Sequence, residues 1–172
     1  MNPLTLRPVF VALVLLWLAP LPGAAAAEII ELEQRPEIAL EHQRMPGNAR
    51  AQAERRGIIR SAPQLFVYHR DARHTPAFYM QGFRRGFERQ LRMMLADFRE
   101  QRSMVPLERL LENAHRPDGE TIGVDALPPQ QLVMVWYVEP DCGSCQALED
   151  ALASWLDENP QFPAVKIRIA LP

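Results

Sequence analysis

The sequence predicts an α/β fold, and three stretches carry that expectation. Leu132–Val138 is an apolar run without a charge, as a strand buried on both faces requires. Ala147, Leu148, Ala151, Leu152, Trp155 and Leu156 follow at helical spacing, and Val165, Ile167 and Ile169 then alternate with Lys166 and Arg168. Strand, helix and strand in succession predict a crossover that leaves the two strands parallel. Upstream, Gln64–Tyr68 and Pro76–Met80 flank a polar turn and predict an antiparallel hairpin.

The elements follow in order. Residues 1–27 read as a secretory signal, with Arg7 before the apolar run Val9–Leu18, Pro20 and Pro22 after it, and small residues at Ala24–Ala27. That segment places the protein in the periplasm or outside the cell, with an uncleaved N-terminal membrane anchor as the alternative. Glu28–Glu33 alternates weakly, as a short strand does. Residues 34–56 are polar, with Pro36, Pro46 and Gly47 as breakers and Asn48 able to cap a short helix over Ala49–Arg56. Residues 28–56 together read as an N-terminal extension.

Phe83, Phe87, Leu91, Leu95 and Phe98 form one continuous apolar stripe and predict a long helix over 83–101. Arg84, Arg85, Arg89, Arg92 and Arg99 read as its solvated face, and Met93 and Met94 as core filling. Pro106 opens a further helix with Leu107, Leu110 and Leu111 inward. Residues 116–131, with Asp118-Gly119 and Pro128-Pro129, read as a surface connection.

With 172 residues the chain is long enough for one domain with a sizeable core. Its hydrophobic fraction of 48% excludes wholesale disorder, and a net charge of −2 provides no overall attraction to nucleic acid. The four histidines, His42, His69, His74 and His115, read as surface residues.

The two cysteines, Cys142 and Cys145, are the only ones in the chain. They stand where the apolar strand stops and the helical pattern begins. A cysteine at the start of a helix faces free backbone N–H groups and the positive helix end, which favour the thiolate. Cys145, one turn on, can then attack a mixed disulfide formed on Cys142. Cys142 therefore reads as the nucleophile and Cys145 as the resolving thiol, with no cofactor beyond their redox-active disulfide. Glu139 is the nearest candidate proton acceptor. The negative charges of Glu139 and Asp141 oppose the helix effect and predict a moderately reducing pair, below about −150 mV. A permanent disulfide and half of a zinc site are the other uses of such a pair. The first closes too short a loop to staple the fold well, and the second needs two ligands that no paired histidines supply.

Val135-Trp136-Tyr137-Val138-Glu139-Pro140-Asp141-Cys142-Gly143-Ser144-Cys145 resembles the active-site strand and helix start of thioredoxin-like proteins. The likeness covers residues 130–170. It implies a thioredoxin-like three-layer α/β/α domain with a mixed central sheet over 57–172. The run Gly57–Tyr68, followed by a hairpin and a helix, is similar to the family's cis-proline half, which here precedes the CxxC half. The resemblance thus implies a circular permutation, with Pro63 as the cis-proline facing Cys142. The acid that some members bury on the preceding strand has no counterpart in Leu132–Val138.

Two functions follow. The first is an exported thiol–disulfide oxidoreductase acting on protein thiols or disulfides in the envelope, together with a redox partner protein. The second is a non-catalytic accessory subunit of an envelope secretion or conjugation apparatus whose CxxC stays oxidised.

Overall fold

A strand with no charged side chain must be covered on both faces, and the computed structural model, which describes residues 28–43, 57–98 and 105–172, meets that demand. Its elements are β1 (Ile29–Gln34), α1 (Pro36–Gln43), β2 (Gln64–His69), β3 (Phe78–Gln81), α2 (Phe87–Ala96), α3 (Leu107–Glu112), β4 (Ala114–His115), β5 (Leu132–Val138), α4 (Gly143–Glu158) and β6 (Ala164–Ala170). A 3-10 turn at Val124–Ala126 interrupts the long connection before β5.

The strands form one mixed sheet in the order β3-β2-β5-β6-β1-β4. β5 runs parallel to β6, and β6 parallel to β1. The hairpin β2–β3 is antiparallel, as expected, and β2 lies antiparallel to β5. The strand of the N-terminal extension is therefore part of the main sheet.

Side chains of β5 divide by parity, as the pleat dictates. Val133, Val135 and Tyr137 join a core with Leu107, Leu110 and Leu111 of α3. Leu132, Met134, Trp136 and Val138 join a second core with Phe87, Leu91 and Leu95 of α2 and Leu148, Leu152 and Trp155 of α4. Helices thus cover both faces of the sheet, and all seven residues of β5 are buried. β6 keeps the one polar face its alternation predicts, with Lys166 and Arg168 half-buried.

Several sequence expectations are corrected. Pro36 does not break a helix but opens α1, because a first-turn residue needs no amide hydrogen for the helical ladder. The predicted helix over Ala49–Arg56 and the signal over residues 1–27 lie outside the described residues. Helix α2 starts at Phe87, four residues later than the stripe suggests. Gly82 at φ 71° and Gly86 at φ 80° both adopt left-handed backbone, so the chain turns twice before the helix can begin. Phe83 still packs on the second core, but from the turn. Met93 is 61% exposed and fills no core, because it falls off the Phe87–Leu91–Leu95 row; Met94 does pack inward. His69 is half-buried, its ring 4.7 Å from that of Phe98. The connection over 116–131 is mostly exposed, but Ile122 and Leu127 anchor it in the first core.

Candidate functional site

Parallel strands bring their carboxyl ends to one edge of a sheet, and ligands are commonly met there. At this edge β5 ends at Val138, and Glu139–Asp141 carry the chain into α4. Asp141 takes up left-handed backbone, φ 56°, a conformation that aspartate tolerates better than most residues. The bend leaves Cys142 in extended conformation as the N-cap of the 16-residue α4.

A cap must satisfy free amides at the helix start, and here sulfur does so. The Cys145 N–H donates to Cys142 Sγ at 3.1 Å and also to the Cys142 carbonyl at 3.0 Å. Ser144 Oγ lies 3.4 Å from the same sulfur. Cys142 and Cys145 are joined by a disulfide, with their Cα atoms 5.2 Å apart. Cys142 is half-buried, whereas Cys145 is only 4% exposed. The two sulfurs predicted to work in sequence are thus bonded to each other, the first in a half-buried residue and the second in a buried one.

The strand register places the remaining predicted residues. Gln64 pairs with Tyr137, so Pro63 stands level with Val138 at the edge from which the CxxC loop departs. Pro63 is buried and the Ala62–Pro63 peptide bond is cis. Its carbonyl accepts the Gly82 N–H at 2.9 Å, tying the β2 entry to the β3 exit. Ala62 and Cys142 pack on the same apolar cluster. Glu139, the expected proton acceptor, is exposed beyond the end of β5.

A second carboxylate escaped the sequence reading. Glu149 lies four residues after Cys145, one helical turn along α4, and is partly sheltered. Its Oε1 accepts from Trp136 Nε1 at 3.0 Å and from Arg168 Nε at 2.7 Å. Arg168 Nη1 reaches Glu31 at 3.1 Å. Burial alone would lower the Arg168 pKa, but the hydrogen bonds and charges of Glu149 and Glu31 outweigh it and hold the pKa up. The i, i+4 spacing from Cys145 was the available signal. The partners were not, because Trp136 and Arg168 meet only through the β5–β6 register. These residues line a groove of about 460 Å³ between α4 and the polar face of β6 and β1.

No helix among the described residues is long and apolar enough to cross a membrane. No protein-family model, no curated protein and no solved structure matches this chain.

Proposed function

We propose that the chain is an exported, circularly permuted thioredoxin-like thiol–disulfide oxidoreductase acting on envelope proteins. The observation that carries this reading is the unequal pair at the head of α4: a half-buried Cys142 capping the helix, bonded to a buried Cys145. The finer fold reading is supported by the strand order β3-β2-β5-β6. In it a parallel strand–helix–strand unit sits beside an antiparallel hairpin.

In the reducing direction, the Cys142 thiolate attacks one sulfur of a substrate disulfide. The new S–S bond forms as the substrate bond breaks, and the leaving thiolate takes up a proton. The Cys145 thiolate then attacks Cys142 Sγ, releasing the second substrate thiol and closing the Cys142–Cys145 bond. Two electrons pass to the substrate, and a dithiol redox partner protein restores the reduced pair. The capping N–H and the helix dipole favour negative charge on Cys142. Burial of Cys145 keeps external disulfides from the resolving sulfur.

Cys145→Ser removes only the resolving step. In cells exporting this variant, mixed disulfides with protein partners accumulate on Cys142 and disappear on reduction or in Cys142→Ser. An accessory subunit with an idle disulfide instead yields no trapped species, and that outcome would overturn the oxidoreductase reading.

A further inference from the structure

The turn between β3 and α2 stands at the same sheet edge as the disulfide. β3 ends opposite the start of β2, where Gln81 pairs with Gln64, and the Gly82 N–H donates to the Pro63 carbonyl. Left-handed Gly82 and Gly86 bracket Phe83-Arg84-Arg85, and a turn hydrogen bond runs from Phe87 N–H to the Arg84 carbonyl. Phe83 is anchored in the cluster on which Cys142 also packs, with its ring 6.3 Å from that of Phe87. Arg84 and Arg85 are left exposed. The segment is therefore a formed turn that carries two exposed arginines at the sheet edge from which the CxxC loop departs.

Exposed charge changes sign along this edge, although Glu88 in the first turn of α2 offsets part of the cationic side. Strand order leads from Arg84 and Arg85 at β3, through Pro63 at β2, to the exposed Glu139 and Asp141 after β5. Two strand spacings, about 10 Å, separate the end of β3, where the arginine turn begins, from the end of β5, where the CxxC loop begins. An extended polypeptide covers that distance in about three residues.

We infer that Arg84 and Arg85 form a docking element for substrate polypeptides that carry acidic residues about three positions to one side of the reacting cysteine. This inference rests on the oxidoreductase reading and names its substrate class. Such a substrate meets opposite charge on the β3 side, while its cysteine lies at Cys142. A basic flank on that side is repelled. Long-range attraction of this kind acts mainly on the encounter rate and weakens with salt.

The test uses the full chain, reduced with a dithiol and desalted. Its substrates are peptides whose single cysteine is joined by a disulfide to 2-mercaptoethanol. Each turnover passes two electrons from the Cys142–Cys145 dithiol and releases peptide thiol and mercaptoethanol. Three peptide sets carry Glu, Gln or Lys three positions before or after the cysteine. Hydroxyethyl disulfide serves as a small neutral control. The expected result is a second-order rate for one Glu placement on the order of tenfold above the Lys version at low salt, shrinking at high salt. Arg84→Gln with Arg85→Gln removes that preference and leaves the hydroxyethyl disulfide rate unchanged. Equal rates for the three sets, or a Glu preference that survives the double substitution, overturns the inference. So does the absence of charge discrimination alongside arginine-dependent co-sedimentation with anionic phosphatidylglycerol vesicles, which would assign the pair to a membrane surface.

A chain inert toward hydroxyethyl disulfide overturns the oxidoreductase reading instead. Docking is then read alone, from the anisotropy of labelled peptides with serine in place of cysteine. Tighter binding of the Glu peptide, lost in the double variant, supports the arginine site, and equal binding of the Glu and Lys peptides overturns it.

Discussion

The backbone N–H of Cys145 donates to the Sγ of Cys142 across 3.1 Å, so the more accessible cysteine is also the one stabilised by the helix it caps. Exposure and thiolate character both control alkylation, and here they favour the same sulfur. In the reduced protein, iodoacetamide is expected to label Cys142 at least on the order of tenfold faster than Cys145. Peptide mapping of partially labelled samples by mass spectrometry measures the ratio. Comparable rates would refute the assigned division of roles.

Two buried tyrosines in the first core make opposite predictions. Tyr68 donates its hydroxyl to the carbonyl of buried Val105 at 2.8 Å, whereas the buried Tyr137 hydroxyl has no partner among the described residues. Tyr68→Phe strands a buried acceptor and should cost about 1–2 kcal/mol. Tyr137→Phe removes a group that is unfavourably buried and should change stability by less than about 0.5 kcal/mol, or raise it. Urea denaturation of both variants checks the order, and the reverse order would contradict the hydrogen-bond assignment.

Glu149 joins Trp136 to Arg168, and its two substitutions should separate charge from hydrogen bonding. Glu149→Gln retains an acceptor for Trp136 Nε1 but loses the ion pair. Because the Arg168 side chain is 34% exposed, solvent screening limits that loss to about 0.5–1 kcal/mol. Glu149→Ala also leaves Trp136 Nε1 unpaired and should cost about 1–3 kcal/mol. Added salt should shrink the Gln effect, since charge alone is lost there. Chemical denaturation at low and high ionic strength distinguishes the two.

Stability should fall on the acid side partly through His69. Burial lowers its folded-state pKa below the usual 6.5, with the Asp71 charge opposing only in part. The unfolded chain therefore binds a proton more readily than the folded one. The resulting loss of stability begins as the pH drops through 6.5 and is complete below the folded value. His69 Nε2 is buried without a partner among the described residues, so His69→Phe keeps a ring against Phe98 and removes the titration. The variant's unfolding free energy should depend less steeply on pH between about 7 and 5. An unchanged slope would exclude His69 as a contributor.

Local patterns were legible wherever a residue's environment depends on near neighbours. Leu132–Val138 needs only its lack of charge to be read as a doubly covered strand. The helix after Cys142 needs only its apolar row. The start of α2 is not legible in the stripe, because an apolar residue in a turn and one in a helix can fill the same core, as Phe83 and Phe87 do. Two glycines at positive φ, not the hydrophobic stripe, decide the boundary.

The sequence by itself determined the strand–CxxC–helix–strand unit and the different stations of Cys142 and Cys145, because capping and periodicity operate within a turn or two of chain. Only the tertiary structure decided that β1 extends the sheet beside β6, that Pro63 and the Arg84-Arg85 turn share an edge with the disulfide, and that Glu149 is held by Trp136 and Arg168. Those relations join residues far apart in the chain. They follow from strand register, which is settled by which faces must be buried together and leaves no mark on any one segment.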